Sequence, residues 1–308
     1  MGRQLEYPYV GQKVSTETGE VVSEFAMKEN EDLKPYVEPT PQQKRYQNEL
    51  DEMRGYNAAL GGFVAMYYNN LLYNKQLDLD LATISRCIYL ATYMDFNTNV
   101  LVLNGGYASG KKIIPMKKKD IREAMNLSKE GFRLFFKSIT ENGILIQNED
   151  KTFSMSNKYF AKGGNIDKKQ EFTRVYVDVV RELYQNCKSS QHKTLAYAFK
   201  LISKMDMESN LIVHNPNDKY NDLKKMTLTE IGEFLGVDTE KGNLNKFKNN
   251  LYQIIINRDG KKYYIFKKIT IESGAGQNGC FAVNPMLFYR GNSYPKALST
   301  IQELLING

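Results

Sequence analysis

Cationic and amide side chains recur at helical spacing in two stretches of the chain. The first stretch carries Lys129, Arg133 and Lys137 on one side and Phe132, Phe135 and Ile139 on the other. The second carries Lys241, Asn245, Lys248 and Asn249 outward and Leu244, Phe247 and Leu251 inward. Because an α-helix turns once every 3.6 residues, these spacings separate a polar face from an apolar one. A helix with such a polar face has the chemistry to read double-stranded DNA.

The residue types suit the two tasks of DNA recognition. Arginine pairs with guanine O6 and N7 through two hydrogen bonds, asparagine pairs in the same way with adenine N6 and N7, and lysine mainly neutralises phosphates. We therefore predict base contacts for Arg133 and for Asn245 or Asn249. Backbone contacts are predicted for Lys117, Lys118, Lys129, Lys137, Lys151, Lys241, Lys248, Arg258, Lys261 and Lys262. The alternative is that these residues form an ordinary solvated face.

The elements that would position these residues follow from local signals. In the first stretch we predict a helix over 116–124, a turn at 126–128 capped by Ser128, and a helix to about Glu141 that stops at Asn142-Gly143. Strands at 144–147 and 152–156 then form a hairpin. The second stretch repeats this order with helices over 228–235 and 239–252 and a larger hairpin over 261–271 and 280–284. A helix-turn-helix followed by a hairpin is the winged-helix arrangement.

An internal duplication organises the chain. Residues 94–104 read MDFNTNVLVLN and residues 205–215 read MDMESNLIVHN, an offset of 111. Upstream, Phe63-x-x-Met66-Tyr67 resembles Phe172-x-x-Val175-Tyr176. Helices over 63–74 and 83–93 and a strand over 100–103 are predicted in the first copy.

The predicted fold class is α+β, mainly α with small β-hairpins, with two tandem winged helices. The predicted domains are a flexible acidic arm (1–60), a first winged helix (61–163), a linker (164–171), a second winged helix (172–294) and a C-terminal helix (295–308). Within the arm, the sequence predicts a turn at 17–20 and a polar helix over 42–54.

Charge is distributed unevenly along the chain. The net charge is +7, from 42 Lys and Arg against 35 Asp and Glu. Residues 1–55 hold 7 basic and 11 acidic side chains, which leaves 35 basic and 24 acidic ones, a net of +11, on the rest. A basic body concentrates polyanions at its surface, so it favours a nucleic-acid partner.

Several kinds of chemistry are disfavoured. The three cysteines are dispersed, and only two histidines occur, so we expect no metal centre, no cofactor and no enzymatic activity. GGYASGK at 105–111 resembles a phosphate-binding loop, but the Ser or Thr and the helix that should follow such a loop are missing. GAGQNG at 274–279 resembles a dinucleotide-binding motif, but a strand follows it where such a motif needs a helix. No apolar run could span a membrane, and no signal peptide begins the chain. We therefore expect a protein of a bacterial host cytoplasm, associated with the nucleoid.

The stretch IREAMNLSKEGFRLFFKSITENGIL, the closing SMSNKYFAKG and TETGEVV near the start resemble phage and plasmid replication initiators of the RepL-like kind. The resemblance covers residues 63–163 and, more weakly, 172–291. It implies a sequence-specific DNA-binding protein that marks an origin and recruits other machinery, with a host helicase or RNA polymerase as the partner of the arm. The alternatives are a phage transcription regulator of the same fold and an interaction protein that docks on host RNA polymerase without binding DNA. The apolar stripe of the C-terminal helix suits either core packing or a dimer face.

Overall fold

The computed structural model describes residues 9–14, 21–26, 39–96, 98–103, 113–218, 222–271 and 278–306. These residues form a mixed α+β structure with small antiparallel sheets, which confirms the predicted class at that level. The chain divides into two units, Met1–Tyr46 and Gln47–Gly308. In the described part of the chain, no helix is both long and apolar enough to cross a membrane.

The predicted arm contains regular structure. Strands β1 (Tyr9–Val14) and β2 (Val21–Ala26) pair antiparallel, and the turn predicted at 17–20 lies outside the described residues. The predicted polar helix is confirmed as α1 (Pro41–Ala59), which begins with a proline because the first helical N–H needs no partner. Met53 and Leu60 are buried in the core of the second unit, so this unit includes residues before position 61.

The second unit contains the same order of elements twice. The first half holds β3 (Phe63–Met66), α2 (Tyr68–Leu72), α3 (Leu81–Ala91), α4 (Lys118–Met125), α5 (Lys129–Glu141), β4 (Leu145–Gln147), β5 (Phe153–Met155) and β6 (Phe160–Ala161). The second half holds β7 (Thr173–Tyr176), α6 (Val177–Asn186), α7 (His192–Lys200), α8 (Leu228–Leu235), α9 (Lys241–Tyr252), β8 (Ile255–Arg258), β9 (Lys261–Tyr264), β10 (Phe266–Ile271), β11 (Asn278–Val283), β12 (Phe288–Tyr289) and α10 (Tyr294–Glu303). We call α4 with α5 the first helix pair and α8 with α9 the second helix pair.

A shared sheet and a shared core join the two halves. The sheet has the order β12-β7-β3-β6, so its central strands come one from each half. Helix α3 of the first half packs against α7 of the second. Tyr89 of α3 also stacks on Tyr184 of α6, with ring centroids 3.7 Å apart. One apolar core runs through both halves. The helix pairs are therefore carried on a single packed scaffold.

Three predicted elements differ from the structure. The helix predicted over 63–74 is strand β3 followed by the short α2, because a central strand buried on both faces reads as a continuous apolar run instead of alternating. The strand predicted over 100–103 makes only isolated bridges in the described part of the chain, to Met94, Ser154 and Pro115. The strand predicted over 261–271 is interrupted at Ile265, so its first part, β9, pairs with β8 and its second part, β10, pairs with β11.

Candidate nucleic-acid interface

Local backbone signals set the geometry of the first helix pair. The Lys117 N–H donates to Asp120 Oδ2 over 2.7 Å at the start of α4, and Asn126 ends that helix in the left-handed region with φ of +47°. Ser128 Oγ accepts the Gly131 N–H over 3.1 Å, as predicted, and begins α5. Gly143 then follows α5 with φ of +62°. These caps define where α5 begins and ends on the scaffold.

Helix α5 has the two faces that the sequence predicts. Phe132, Phe135 and Ile139 are buried, and Lys129, Arg133 and Lys137 are exposed. Leu134 also lies on the exposed side, with 53% of its surface accessible. The outer face of α5 therefore combines cationic groups with one large apolar side chain.

Carboxylates on the same helix hold two of the three cationic groups. Arg133 donates to Glu130 twice, from Nε over 2.8 Å and from NH2 over 2.5 Å, and this pairing lowers the pKa of the Glu130 carboxyl. Lys137 Nζ lies 3.7 Å from Glu141 Oε1. Spacings of i+3 and i+4 indicate such pairs on a helix, so both partners were predictable from the sequence. Glu130 occupies the Nε and Nη2 donors of Arg133, which any other acceptor must share or displace.

Basic side chains line a cleft between α4 and α5. The cleft has a volume of about 390 Å³ and is lined by Lys118, Lys119, Arg122, Lys129, Phe132 and Arg133. Arg122 was not among the predicted contacts. It lies one turn after Lys118 on the exposed side of α4, and this spacing could have indicated that the two side chains share a face. Lys118 Nζ also lies 4.2 Å from the centroid of the Phe136 ring, beside a second cleft of about 710 Å³ that reaches Lys117 and Lys151. Side chains from α4, α5 and the hairpin thus form one cationic surface.

The second helix pair is built in the same way. Thr227 Oγ1 accepts the Glu230 N–H over 3.3 Å and Glu230 Oε2 accepts the Thr227 N–H over 2.7 Å, so a capping box begins α8. Gly236 ends α8 with φ of +67°. On α9, which begins at Lys241, Phe247 and Leu251 are buried.

The polar face of α9 only partly follows the prediction. Asn245 and Asn249 are exposed, whereas Lys248 is half-buried, and the Lys241 side chain lies outside the described part of the chain. Lys246 and Asn250 are exposed on the same helix and were not predicted as contacts. Helix α9 therefore presents mostly amides where α5 presents cations.

The hairpin residues are placed unequally. Lys151 is exposed at the tip of the β4–β5 hairpin with φ of +64°, and Lys261 and Lys262 are exposed on β9. Arg258 is different, because its side chain is only 26% accessible and its NH2 atom lies 3.7 Å from Asp178 Oδ2 on α6. The neighbouring Asn257 N–H donates to Glu182 of α6 over 2.8 Å. Arg258 thus lies at the end of β8, directly before the turn at Asp259-Gly260, with its side chain directed against α6.

The structure offers little for other chemistry in the residues it describes. Burial raises the pKa of the Cys87 thiol strongly and that of Cys280 to about 11, and it also raises the pKa of Cys187. Nucleophilic cysteines have lowered pKa values instead. Among the described residues, no three His, Cys, Asp or Glu side chains are placed to hold a metal ion. The glycine-rich loops at 105–111 and 274–279 lie largely outside the described residues.

The chain matches no protein-family model, no curated protein and no solved structure. The feature with the most chemical content is the pair of equivalent helices α5 and α9, each with a buried apolar face and an exposed polar one.

Proposed function

We propose that this chain is a sequence-specific double-stranded DNA-binding protein with two winged helices, and that it initiates replication of a phage or plasmid by recruitment. Helices α5 and α9 are the recognition helices, and the hairpins beside them are the wings. The observation that carries the proposal is the repeated arrangement itself. Both halves place exposed Arg, Lys or Asn side chains on the second helix of a helix pair that a hairpin follows.

The proposed contacts divide between phosphates and bases. Lys118, Lys119, Arg122 and Lys129 line the cleft beside α5 and contact the DNA backbone, because cations that surround a groove neutralise phosphates. Arg133, once released from Glu130, pairs with a guanine edge, and Asn245 and Asn249 pair with adenine edges. Leu134 then meets the methyl group of a thymine, the apolar feature of the major groove.

A plasmid-maintenance assay tests the initiator proposal. Duplexes that the protein selects from a random pool are cloned as the sole origin of a plasmid, and the host supplies the protein or its Arg133→Ala, Asn245→Ala double variant. We expect plasmid maintenance with the native protein and loss with the double variant. A selected sequence that represses a neighbouring promoter but never supports maintenance would point to a transcription regulator instead.

A second candidate function is protein docking by the first half. It is favoured by large apolar side chains that are exposed there, Leu134 on α5 and Ile146 on β4, whereas Lys246 stands at the position of Leu134 in the second half. Exposed apolar side chains are a feature of interaction surfaces when they form a continuous patch. A Leu134→Ser variant separates the two functions, because docking predicts unchanged DNA affinity and loss of partner capture.

A further inference from the structure

The two halves are related by a local two-fold axis, and this symmetry has a consequence for the DNA site if the proposed function holds. Strands β3 and β7 correspond at an offset of 109, so the equivalent of Ala65 is Arg174. In the antiparallel register Ala65 pairs with Arg174 itself, while Val64 pairs with Val175 and Met66 with Thr173. A residue that pairs with its own equivalent marks a two-fold axis, as at an isologous interface between subunits.

The outer strands obey the same axis. Met66 of β3 pairs with Phe160 of β6, and its equivalent Val175 pairs with Phe288 of β12. A half-turn about an axis perpendicular to the sheet therefore exchanges β3 with β7 and β6 with β12. Helices α3 and α7, which are also equivalents, pack against each other.

The symmetry extends to hydrogen bonds within each half. Asn99 Nδ2 donates to the Phe160 carbonyl over 2.9 Å, and Asn210 Nδ2 donates to the Phe288 carbonyl over 2.8 Å. Both asparagines lie in the left-handed region, with φ of +57° and +56°. Leu101 and Ile212 donate their N–H groups to Phe153 and Phe281, each over 2.8 Å.

A two-fold rotation moves each atom around its axis but does not shift it along that axis. Applied to the equivalent helices α5 and α9, the rotation places both at the same level along the axis and makes them run in opposite directions when viewed along it. This is the relation between the recognition helices of a symmetric dimer on a palindromic site, where half-sites are inverted. Here one chain supplies both helices.

The two helices differ at their equivalent base-facing positions. At an offset of 112, Arg133 corresponds to Asn245 and Lys137 to Asn249. Glu130, the acceptor for Arg133, corresponds to Gly242, so α9 lacks that carboxylate. Within the described residues, no side chain hydrogen-bonds to the Asn245 or Asn249 amide, and both are exposed.

We infer that a single chain reads an imperfect inverted repeat whose half-sites differ in base type. The half-site under α5 presents guanine to Arg133, and the half-site under α9 presents adenine to Asn245 and Asn249. The two-fold axis of the scaffold determines that the half-sites are inverted. The different residues at equivalent positions of α5 and α9 determine that the half-sites differ in sequence. This inference rests on the proposed DNA-binding function.

Rebuilt duplexes test the orientation. A site selected by the full chain from random duplexes is resynthesised with its second half-site inverted or direct, at equal spacing. We expect the inverted duplex to bind at least about 10-fold more tightly, with one chain per duplex by native mass spectrometry. Equal affinities, a preference for direct repeats or a requirement for two chains would overturn the inference. Failure of the DNA-binding proposal looks different, because no duplex would bind even at low salt.

Variants of exposed residues test the base assignment. Arg133→Ala should lose discrimination in the guanine half only, and Asn245→Ala in the adenine half only, by about 5- to 150-fold at one position. The double variant Asn245→Arg, Asn249→Lys should select a more symmetric repeat in which the second half resembles the first. Asn250→Ala is the matched control, because Asn250 projects about 140° around α9 from Asn245. If Arg133→Ala relaxes both halves alike, or the converted variant keeps its adenine half, the assignment is wrong.

Circular dichroism of each variant separates folding from recognition. The substituted side chains are exposed, so native spectra and melting temperatures are expected. A variant that keeps its fold and loses one half-site supports the inference. A folded Arg133→Ala or Asn245→Ala variant with unchanged selection in both halves contradicts it, whereas the folded control Asn250→Ala should leave selection unchanged.

Discussion

At the scale of single residues, the most informative contact is the one between Arg133 and Glu130. Arg133 donates two hydrogen bonds to one carboxylate, which is also the geometry with which arginine reads guanine. Under the proposed function, Glu130 and DNA compete for the same two donors of Arg133, and the Glu130 carboxylate places a negative charge on the same surface. DNA must then displace the Glu130 pairing before Arg133 can contact a base.

Replacing Glu130 tests this competition. Glu130→Gln should strengthen binding to a guanine-containing site by roughly 3- to 10-fold at low salt, because it removes a repulsive charge and replaces the two carboxylate acceptors of Arg133 with one neutral amide oxygen. Fluorescence anisotropy with a short duplex measures the change. Glu141→Gln is the control, since it releases Lys137 and should strengthen all sequences alike. Weaker binding by Glu130→Gln would mean that Glu130 itself contacts a base.

A buried histidine gives the fold a predictable response to acid. His192 stacks on Tyr184 with ring centroids 4.1 Å apart, and burial, with the nearby Arg86 charge, lowers its pKa to about 4. The unfolded chain takes up this proton near pH 6.5, so it binds more protons than the native state between pH 6.5 and 4. Stability should therefore fall across that window, by up to about 3 kcal/mol, as pH decreases.

NMR titration of the His192 ring measures this pKa directly. We expect a midpoint near 4 in the folded protein, and urea unfolding of His192→Gln should show a shallower loss of stability between pH 6.5 and 4. A ring that titrates near pH 6.5 would contradict the structure around α7.

At the scale of elements, the caps position the proposed recognition helices. Ser128→Ala leaves the Gly131 N–H without its side-chain acceptor at the start of α5 and should cost about 1 kcal/mol. Urea unfolding midpoints measure the loss. Ser138→Ala, inside the same helix, is the control and should cost less. Equal effects of the two substitutions would show that the Ser128 cap contributes nothing special.

Local signals explain why the helix pairs could be predicted from the sequence. Asn126, Ser128 and Gly143 define α4 and α5 by short-range chemistry, and the structure confirms both helices. Strand β3 could not be recognised in this way, because its partner β7 lies 109 residues away and burial on both faces removes the alternating pattern. The contact between Arg258 and Asp178 could not be predicted for a related reason, since the two residues lie 80 positions apart in the sequence. In both cases the contact joins residues far apart in the sequence.

At the scale of the whole molecule, charge is divided between the start of the chain and the rest. Residues 1–40 carry 8 acidic and 4 basic side chains, so removing them raises the net charge from +7 to +11. We expect the truncated chain to bind random duplex DNA roughly 3- to 10-fold more tightly at low salt. The difference should vanish at high ionic strength, where screening removes long-range charge effects. A difference that persists at 0.5 M salt would indicate a specific role for these residues instead.

The salt dependence of DNA binding tests the central claim most directly, namely that the chain binds DNA and that the cationic cleft between α4 and α5 contacts the phosphates. The full chain is titrated with random duplex DNA from low to physiological salt, beside a variant with Lys118, Lys119, Arg122 and Lys129 changed to Ala. We predict that affinity falls steeply for the native protein, with a log–log slope of about −0.9 per phosphate contact, and that the variant loses both affinity and about three to four units of slope. No binding by the native protein at low salt, or the same slope in the variant, would contradict the account.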